Sequence, residues 1–130
     1  MDSIFSKIIR KEIPAYIVSE NEENIAFMDI APIQIGHVLV IPKIEIDNIF
    51  DLPLDSYISL FSFAKKVSNG IKRVISCDRV GMSVIGLEVP HAHIHLVPIN
   101  KLNDMDFNKK ISISNTELLN LSKKISQEIK

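Results

Sequence analysis

The stretch His91-Ala92-His93-Ile94-His95-Leu96-Val97-Pro98 places three imidazoles at every second position. Side chains alternate between the two faces of a β-strand, so this spacing predicts a strand over residues 91–97 with all three rings on one face. The intervening Ala92, Ile94 and Leu96 would then point into a packed core. The chain has only four histidines, and three of them on one face indicate chemistry.

From the residue types alone, this cluster has two interpretations. A His-x-His pair on a strand suits zinc, and His37, near the start of another apolar segment, is a candidate for a further ligand. Asp29 or Glu88 would then accept a hydrogen bond from a metal-bound histidine and orient its ring. Alternatively, one neutral imidazole attacks an anionic reactive group as a nucleophile. The residues by themselves leave both sites open.

Length and composition limit the class of protein. A chain of 130 residues with 46% hydrophobic and 24% charged residues predicts one domain with its own core. The net charge of −1 favours neither a nucleic-acid polymer nor an acidic membrane as a partner. The single cysteine, Cys77, excludes an internal disulfide and a zinc site of several thiolates. Because no leader-like segment or stretch of about 20 apolar residues occurs, we expect a cytoplasmic protein.

Residue periodicity predicts three helices and five strands. The helices are expected over residues 3–11, with Asp2 or Ser3 as the cap, over about 54–76, and after the capping-box pattern that begins at Ser114. The strands follow one another with hairpin-like connections and an inserted helix, which predicts an α+β fold with an antiparallel sheet. The predicted strands span residues 15–19, 25–28, 37–41, 80–85 and 91–97.

Together with other segments, the histidine run resembles the signature of the histidine triad (HIT) nucleotide-binding proteins. Residues 91–97 fit the pattern His-φ-His-φ-His-φ-φ, in which φ is apolar. Residues 4–14 resemble the amino-terminal segment of the Hint branch, and residues 27–32 and 36–43 resemble its next two blocks. The resemblance covers about residues 3–98. It implies one HIT-like domain over residues 1–130, with an antiparallel meander sheet, one long helix, short terminal helices and a helix-containing extension over about 99–130.

The resemblance also implies a reaction. The expected enzyme is a HIT-type hydrolase or nucleotidyl transferase of the phosphoramidase or dinucleotide hydrolase class. It is expected to attack the α-phosphate of nucleoside phosphoramidates, dinucleotides or related nucleotide conjugates. By its position His93 is the expected nucleophile, forming a covalent nucleotidyl-histidine from which water releases a nucleoside monophosphate. His95 and His37 are expected to stabilise charge on the phosphoryl oxygens, and His91 to orient the cluster by hydrogen bonding. No metal and no cofactor are expected.

The resemblance to the HIT family also implies which residues bind the nucleotide. Asp29 matches the position that binds ribose hydroxyls, although an aspartate there also suits a turn cap. Backbone N–H groups around Glu88 and Val89 are candidates for phosphate contacts. The other expected binding residues are apolar. Five of them match the positions that enclose a purine base, with ordinary core packing as the alternative: Ile4, Phe5, Ile8, Ile13 and Phe27. The sixth, Ile30, lies beside Asp29 in the sequence.

Two features depart from the family pattern. A shortened loop carries Leu87 and Glu88 where relatives usually have glutamine and serine, which changes the expected leaving-group preference. Ser3 and Ser6 match a cysteine pair that helps bind structural zinc in some bacterial relatives, so no structural metal is expected here.

The expected partners are a purine nucleotide or nucleotide conjugate and a second copy of the chain in a homodimer. Neither a nucleic-acid polymer nor a membrane is expected. Two alternatives stay open. One is a nucleotide sensor in which the changed loop has removed most turnover, and the other is a metal-dependent hydrolase with the three histidines as ligands.

Overall fold

The computed structural model describes residues 2–129 as an α+β fold. The strands are β1 (Ile17–Glu20), β2 (Asn24–Met28), β3 (Val38–Pro42), β4 (Arg79–Ser83) and β5 (Ile94–Ile99). The helices are α1 (Ile4–Ile9), α2 (Leu54–Val74) and α3 (Asn115–Glu128), with short 3₁₀ helices at Ile49–Asp51 and Leu102–Met105. The strands form one antiparallel sheet in the order β1-β2-β3-β5-β4, which confirms the predicted fold class.

Serine hydroxyls cap the two short helices, as the sequence predicts. Ser3 Oγ accepts a hydrogen bond from the Ser6 N–H at 3.0 Å, and Ser114 Oγ accepts one from the Glu117 N–H at 3.1 Å. Helix α1 is nevertheless shorter than predicted. Lys11, inside the predicted segment, adopts a left-handed φ of 63°, which a right-handed helix does not accommodate.

The two faces of the sheet are covered unequally. On one face, β2, β3 and β5 pack against α2 and α3 through a core that includes Ala26, Met28, Val38, Val40, Ile94 and Leu96. On the other face, two side chains of α1 join a smaller cluster, which consists of Phe5, Ile8, Ile25, Phe27, Leu39 and Ile41. Burial on both faces explains why β3, and β2 apart from Asn24, are apolar. Because α1 has only six residues, it leaves part of the second face uncovered.

Helix α2 presents a slightly different side to the core than its sequence pattern predicts. Leu60 and Phe63 are buried, whereas the predicted Tyr57 and Phe61 are only half-buried. Gly70 is buried where α3 crosses, and a Cβ there would lie 2.6 Å from Ile129 Cγ1. This glycine lets the two helices approach closely, although the sequence indicated only a weak point in the helix. Within residues 2–129, no helix is both long and apolar enough to cross a membrane.

The last two strands differ from the prediction at the ends that face the histidines. Strand β4 ends at Ser83 instead of Ile85, and β5 begins at Ile94 instead of His91. The reason is local hydrogen bonding: the His91 N–H donates to the Val89 carbonyl at 2.8 Å, and the next N–H donates to the Ile46 carbonyl at 2.7 Å. These bonds divert residues 91–93 from the sheet ladder.

Candidate active site

The uncovered part of the sheet forms a cleft of about 440 Å³ beside α1. Its other walls are the loop after β4 and a segment that precedes α3. Eleven of the residues predicted from the sequence line this cleft: Ile4, Phe5, Ile8, Ile13, Phe27, Asp29, Ile30, Glu88, Val89, His93 and His95. The other two predicted residues, His37 and His91, are fully buried behind it.

One end of the cleft is apolar and aromatic. The rings of Phe5 and Phe27 meet edge-on, with centroids 5.6 Å apart, and Phe5 also meets His93 edge-on at 5.1 Å. Ile4 and Ile30 are exposed, so they are available to a ligand rather than committed to the core. Phe5 and Phe27 belong to the core cluster as well, so both interpretations of these apolar residues apply.

His93 presents an unprotonated nitrogen. Its Nδ1 lies 2.7 Å from the carbonyl oxygen of His91, and a carbonyl only accepts, so Nδ1 carries the proton. In the neutral form of the ring, the lone pair is then on Nε2. This atom makes no hydrogen bond with the described part of the chain, and the side chain lines the cleft. His93 is thus oriented as an imidazole with a free lone pair.

His91 has no free nitrogen. Its Nε2 donates to the Pro42 carbonyl at 2.8 Å, so Nδ1 accepts from the Ser3 hydroxyl at 2.9 Å. Burial lowers the pKa of His91, which keeps the ring neutral. The Ser6 hydroxyl extends this network by donating to Glu45 at 2.6 Å. The first predicted triad histidine therefore holds the segment together from behind and does not share the cleft with the other two.

His37 and His95 form a hydrogen-bonded pair with a defined direction. The Ile33 N–H donates to His37 Nδ1 at 3.1 Å, so the proton of this neutral ring lies on Nε2. That N–H donates to His95 Nδ1 at 3.0 Å, which leaves His95 with its proton on Nε2. His95 lines the cleft and His37 does not. The pair thus offers a ligand one N–H donor.

Both rings of this pair resist protonation. Burial is the main cause, and it lowers the pKa of His37 to about 4 and that of His95 to about 3. The positive charge of Lys110 acts in the same direction on both rings, whereas Asp29 raises the pKa of His37. Near neutral pH the N–H of His95 is therefore part of a neutral donor.

Asp29 combines the two roles considered for it. Its Oδ1 accepts from the Ala31 N–H at 2.9 Å, which is a turn contact, and its Oδ2 lies 3.5 Å from His37 Nε2. The half-buried carboxylate also lines the cleft. It keeps acceptor capacity for a ligand hydroxyl, because each carboxylate oxygen accepts more than one hydrogen bond.

The possible metal ligands differ from those in the sequence-based alternative. Ligand atoms of Asp29, His37 and His95 lie within 4.8 Å of one another, and this is the one such set among residues 2–129. His91 and His93 do not belong to this set. The three triad imidazoles therefore do not form a ligand set, and a cation in this site would displace the hydrogen bond between His37 and His95.

Sequence reasoning missed part of the cleft wall. Phe107 and Lys110 line the cleft from the segment before α3, which lies beyond the blocks of the resemblance. Phe107 packs edge-on against His95 with the centroids 4.7 Å apart. The available signal was one aromatic residue in an otherwise polar stretch, which is a weak pattern. Leu87 also lines the cleft and is 88% exposed.

The sequence model of the HIT domain matches residues 10–102. The chain belongs to the HIT family. An uncharacterized HIT-like protein of Borreliella burgdorferi is 34% identical over 137 residues, covering 98% of this chain and 99% of the relative. The purine nucleoside phosphoramidase of Escherichia coli is 34% identical over 114 residues, covering 80% of this chain and 92% of that protein.

Solved structures of HIT proteins share the fold. The crystal structure of a Hit-like protein involved in cell-cycle regulation from Bartonella henselae superposes with a TM-score of 0.85 at 30% identity, covering 98% of this chain and 96% of that chain. A hypothetical histidine triad nucleotide-binding protein from Sulfolobus tokodaii gives a TM-score of 0.83 at 28% identity, covering 97% of this chain and 91% of that chain. The fold and family predicted from the sequence are thus confirmed.

Proposed function

We propose that this HIT protein hydrolyses purine nucleotide conjugates by transferring the nucleotidyl group to His93 and then to water. The observation that carries the proposal is the hydrogen bond from His93 Nδ1 to the His91 carbonyl, which directs a lone pair into the cleft beside the N–H of His95. Two related proteins named as phosphoramidases, in Escherichia coli and Saccharomyces cerevisiae, support the class of reaction.

The first chemical step forms a bond between His93 Nε2 and the α-phosphorus. The bond from phosphorus to the leaving group breaks, and the leaving group departs with that electron pair and takes a proton from solvent. The attacking ring becomes positively charged, and the His91 carbonyl, 2.7 Å from Nδ1, stabilises this charge. The N–H of His95 donates to a non-bridging oxygen, where negative charge accumulates.

In the second step, His93 is the leaving group and water is the nucleophile. A water oxygen attacks the same phosphorus, the bond to His93 breaks, and the ring recovers its lone pair on Nε2. The water loses one proton to solvent and a nucleoside monophosphate is released. Two displacements at one phosphorus replace a single direct attack by water on the conjugate.

The remaining cleft residues suit the nucleoside. We assign the apolar end around Phe5 and Phe27 to the base, and Asp29 to the ribose hydroxyls. Val89 and Glu88 border the phosphate region, where their backbone N–H groups are candidates for contacts. The Leu87 side chain is apolar and makes no hydrogen bond, so this loop contributes less side-chain recognition of a leaving group than the usual family loop.

The replacement His93→Ala tests the proposal. Wild-type protein mixed with adenosine phosphoramidate should release AMP and show, after rapid acid quenching, an added nucleotidyl mass on the peptide that carries His93. The His93→Ala protein should show neither, while still binding AMP. Ser62→Ala, on the exposed side of α2, is the control and should behave as wild type.

The same experiment separates the alternatives. A wild-type protein that binds AMP tightly but turns over no better than His93→Ala would be a nucleotide sensor, and the hydrolase proposal would be wrong. The set of Asp29, His37 and His95 favours one further candidate, a metal-dependent hydrolase. Loss of activity after chelation, with recovery on adding zinc, would support that candidate against the covalent mechanism.

Several further expectations of the sequence analysis stay predictions. We propose that residues 1–130 act as one HIT-like domain, because α3 packs against α2 and contributes Leu118 and Ile125 to the main core. We also propose a cytoplasmic homodimer that uses neither a cofactor nor a metal. Sedimentation of the purified chain, before and after nucleotide addition, measures its oligomeric state.

A further inference from the structure

The segment between the second 3₁₀ helix and α3 reaches the cleft and is fixed there. The Ile111 N–H donates to the Pro32 carbonyl at 2.8 Å, which ties the segment to the loop that follows β2. A tight turn precedes this bond, closed by the Lys109 N–H donating to the Asp106 carbonyl at 3.0 Å. These contacts hold residues 106–111 beside Asp29 and the histidine pair.

Phe107 docks the segment directly onto that pair. Its ring meets His95 edge-on at 4.7 Å and His37 edge-on at 6.3 Å. Lys110 follows three residues later and lines the same cleft as His93 and His95. Its charge lowers the pKa of both His95 and His37, which agrees with a position close to them.

Lys110 differs from Lys109 in lacking a nearby carboxylate among the described residues. Lys109 lies 3.9 Å from the Asp106 carboxylate, whereas Lys110 has no carboxylate within 4.0 Å in the part of the chain that the structure describes. Among the described residues that line the cleft, Lys110 is also the one lysine or arginine, and the carboxylates there are Asp29 and Glu88. A phosphate in the cleft would thus share it with one lysine side chain.

We propose that Lys110 binds a non-bridging oxygen of the phosphoryl group that His93 attacks, next to the oxygen that His95 contacts. This inference rests on the proposed function and adds a residue that stabilises charge. His95 supplies one neutral N–H, and the Leu87 side chain supplies none. A hydrogen bond from an ammonium group is stronger than one from a neutral donor, and its charge opposes the charge that accumulates during attack.

The test compares AMP with adenosine, which lacks the phosphate, by isothermal titration calorimetry. Lys110→Met should weaken AMP binding by about tenfold, the lower range for a hydrogen bond to a charged group. Its affinity for adenosine should equal that of the wild type. Lys110→Arg should restore most of the AMP affinity, and the matched control Lys109→Met should bind both ligands as the wild type does.

Two outcomes would overturn the inference. Equal AMP affinities of Lys110→Met and the wild type would show that the ammonium makes no phosphate contact. An equal loss of AMP and adenosine affinity would show that the side chain supports the shape of the cleft instead. Neither result depends on turnover, so the proposed function is judged separately: its failure would appear as a wild-type protein that forms no nucleotidyl-histidine.

Discussion

Replacing Ser3 by alanine tests the network that joins α1 to the histidine segment. The hydroxyl of Ser3 accepts from the Ser6 N–H at 3.0 Å and donates to His91 Nδ1 at 2.9 Å. Ser3 is 4% exposed and His91 is completely buried, so solvent has little access to the groups that lose their partner. The substitution therefore removes a helix cap and leaves a buried acceptor unpaired.

The two losses have separate magnitudes. Loss of a serine cap costs about 1 kcal/mol, and leaving a buried acceptor such as His91 Nδ1 unpaired costs about 1–3 kcal/mol. The free energy of unfolding of Ser3→Ala should therefore fall by about 2–4 kcal/mol. Glycine is nearly as good a cap as serine, so Ser3→Gly should lose only the part due to His91.

Urea denaturation followed by circular dichroism measures these differences by linear extrapolation. Ser62→Ala, at an exposed position of α2, is the control and should stay within about 0.5 kcal/mol of the wild type. A Ser3→Ala protein that loses less than about 1 kcal/mol would refute the reasoning, because the contact with His91 would then contribute nothing measurable.

Two further predictions concern stability. The free energy of unfolding should fall as the pH drops from about 6.5 towards 5, because the pKa values of His37 (about 4) and His95 (about 3) lie below those of histidines in the unfolded chain. The unfolded chain therefore binds more protons in this pH range than the folded protein does. Urea titrations at each pH measure the free energy of unfolding, and a flat profile would contradict the prediction. Gly36→Ala should cost about 2–4 kcal/mol in thermal denaturation, because φ is +92° and the new Cβ would lie 2.8 Å from Ile75 Cγ1. Gly86→Ala, with φ of +76° and no atom within 4 Å of its Cβ, is the matched control and should lose only the smaller cost of strain; equal losses would show that crowding at Gly36 is unimportant.

Short-range pattern was sufficient to predict the sheet, whereas the resemblance to the HIT family implied most of the cleft residues. The alternation of Ala92, Ile94 and Leu96 between histidines predicted which side chains enter the core, and all three are buried there. The polar pair before an apolar repeat predicted a helix cap at Asp2 or Ser3, and the cap is Ser3. These features depend on neighbours within a few residues, so the sequence alone contains them.

Features that depend on distant partners could not be predicted in this way. The buried position of His91 follows from Ser3 and Pro42, which are 88 and 49 residues away in the chain. The direction of the hydrogen bond between His37 and His95 follows from a backbone N–H, which no residue type indicates. Phe107 and Lys110 reach the cleft because a loop is tied down at Ile111, and no periodic pattern predicts such a contact.

Even- and odd-numbered residues of the central strands face opposite sides of the sheet. Six even-numbered side chains of β2, β3 and β5 belong to the core beneath α2 and α3: Ala26, Met28, Val38, Val40, Ile94 and Leu96. Five odd-numbered ones lie on the side of α1 and the cleft: Ile25, Phe27, Leu39, Ile41 and His95. Phe27, Leu39 and His95 of the odd set line the cleft, whereas the even set builds the core beneath α2 and α3. Inserting or deleting one residue in a strand would exchange the two sets and damage folding and recognition together.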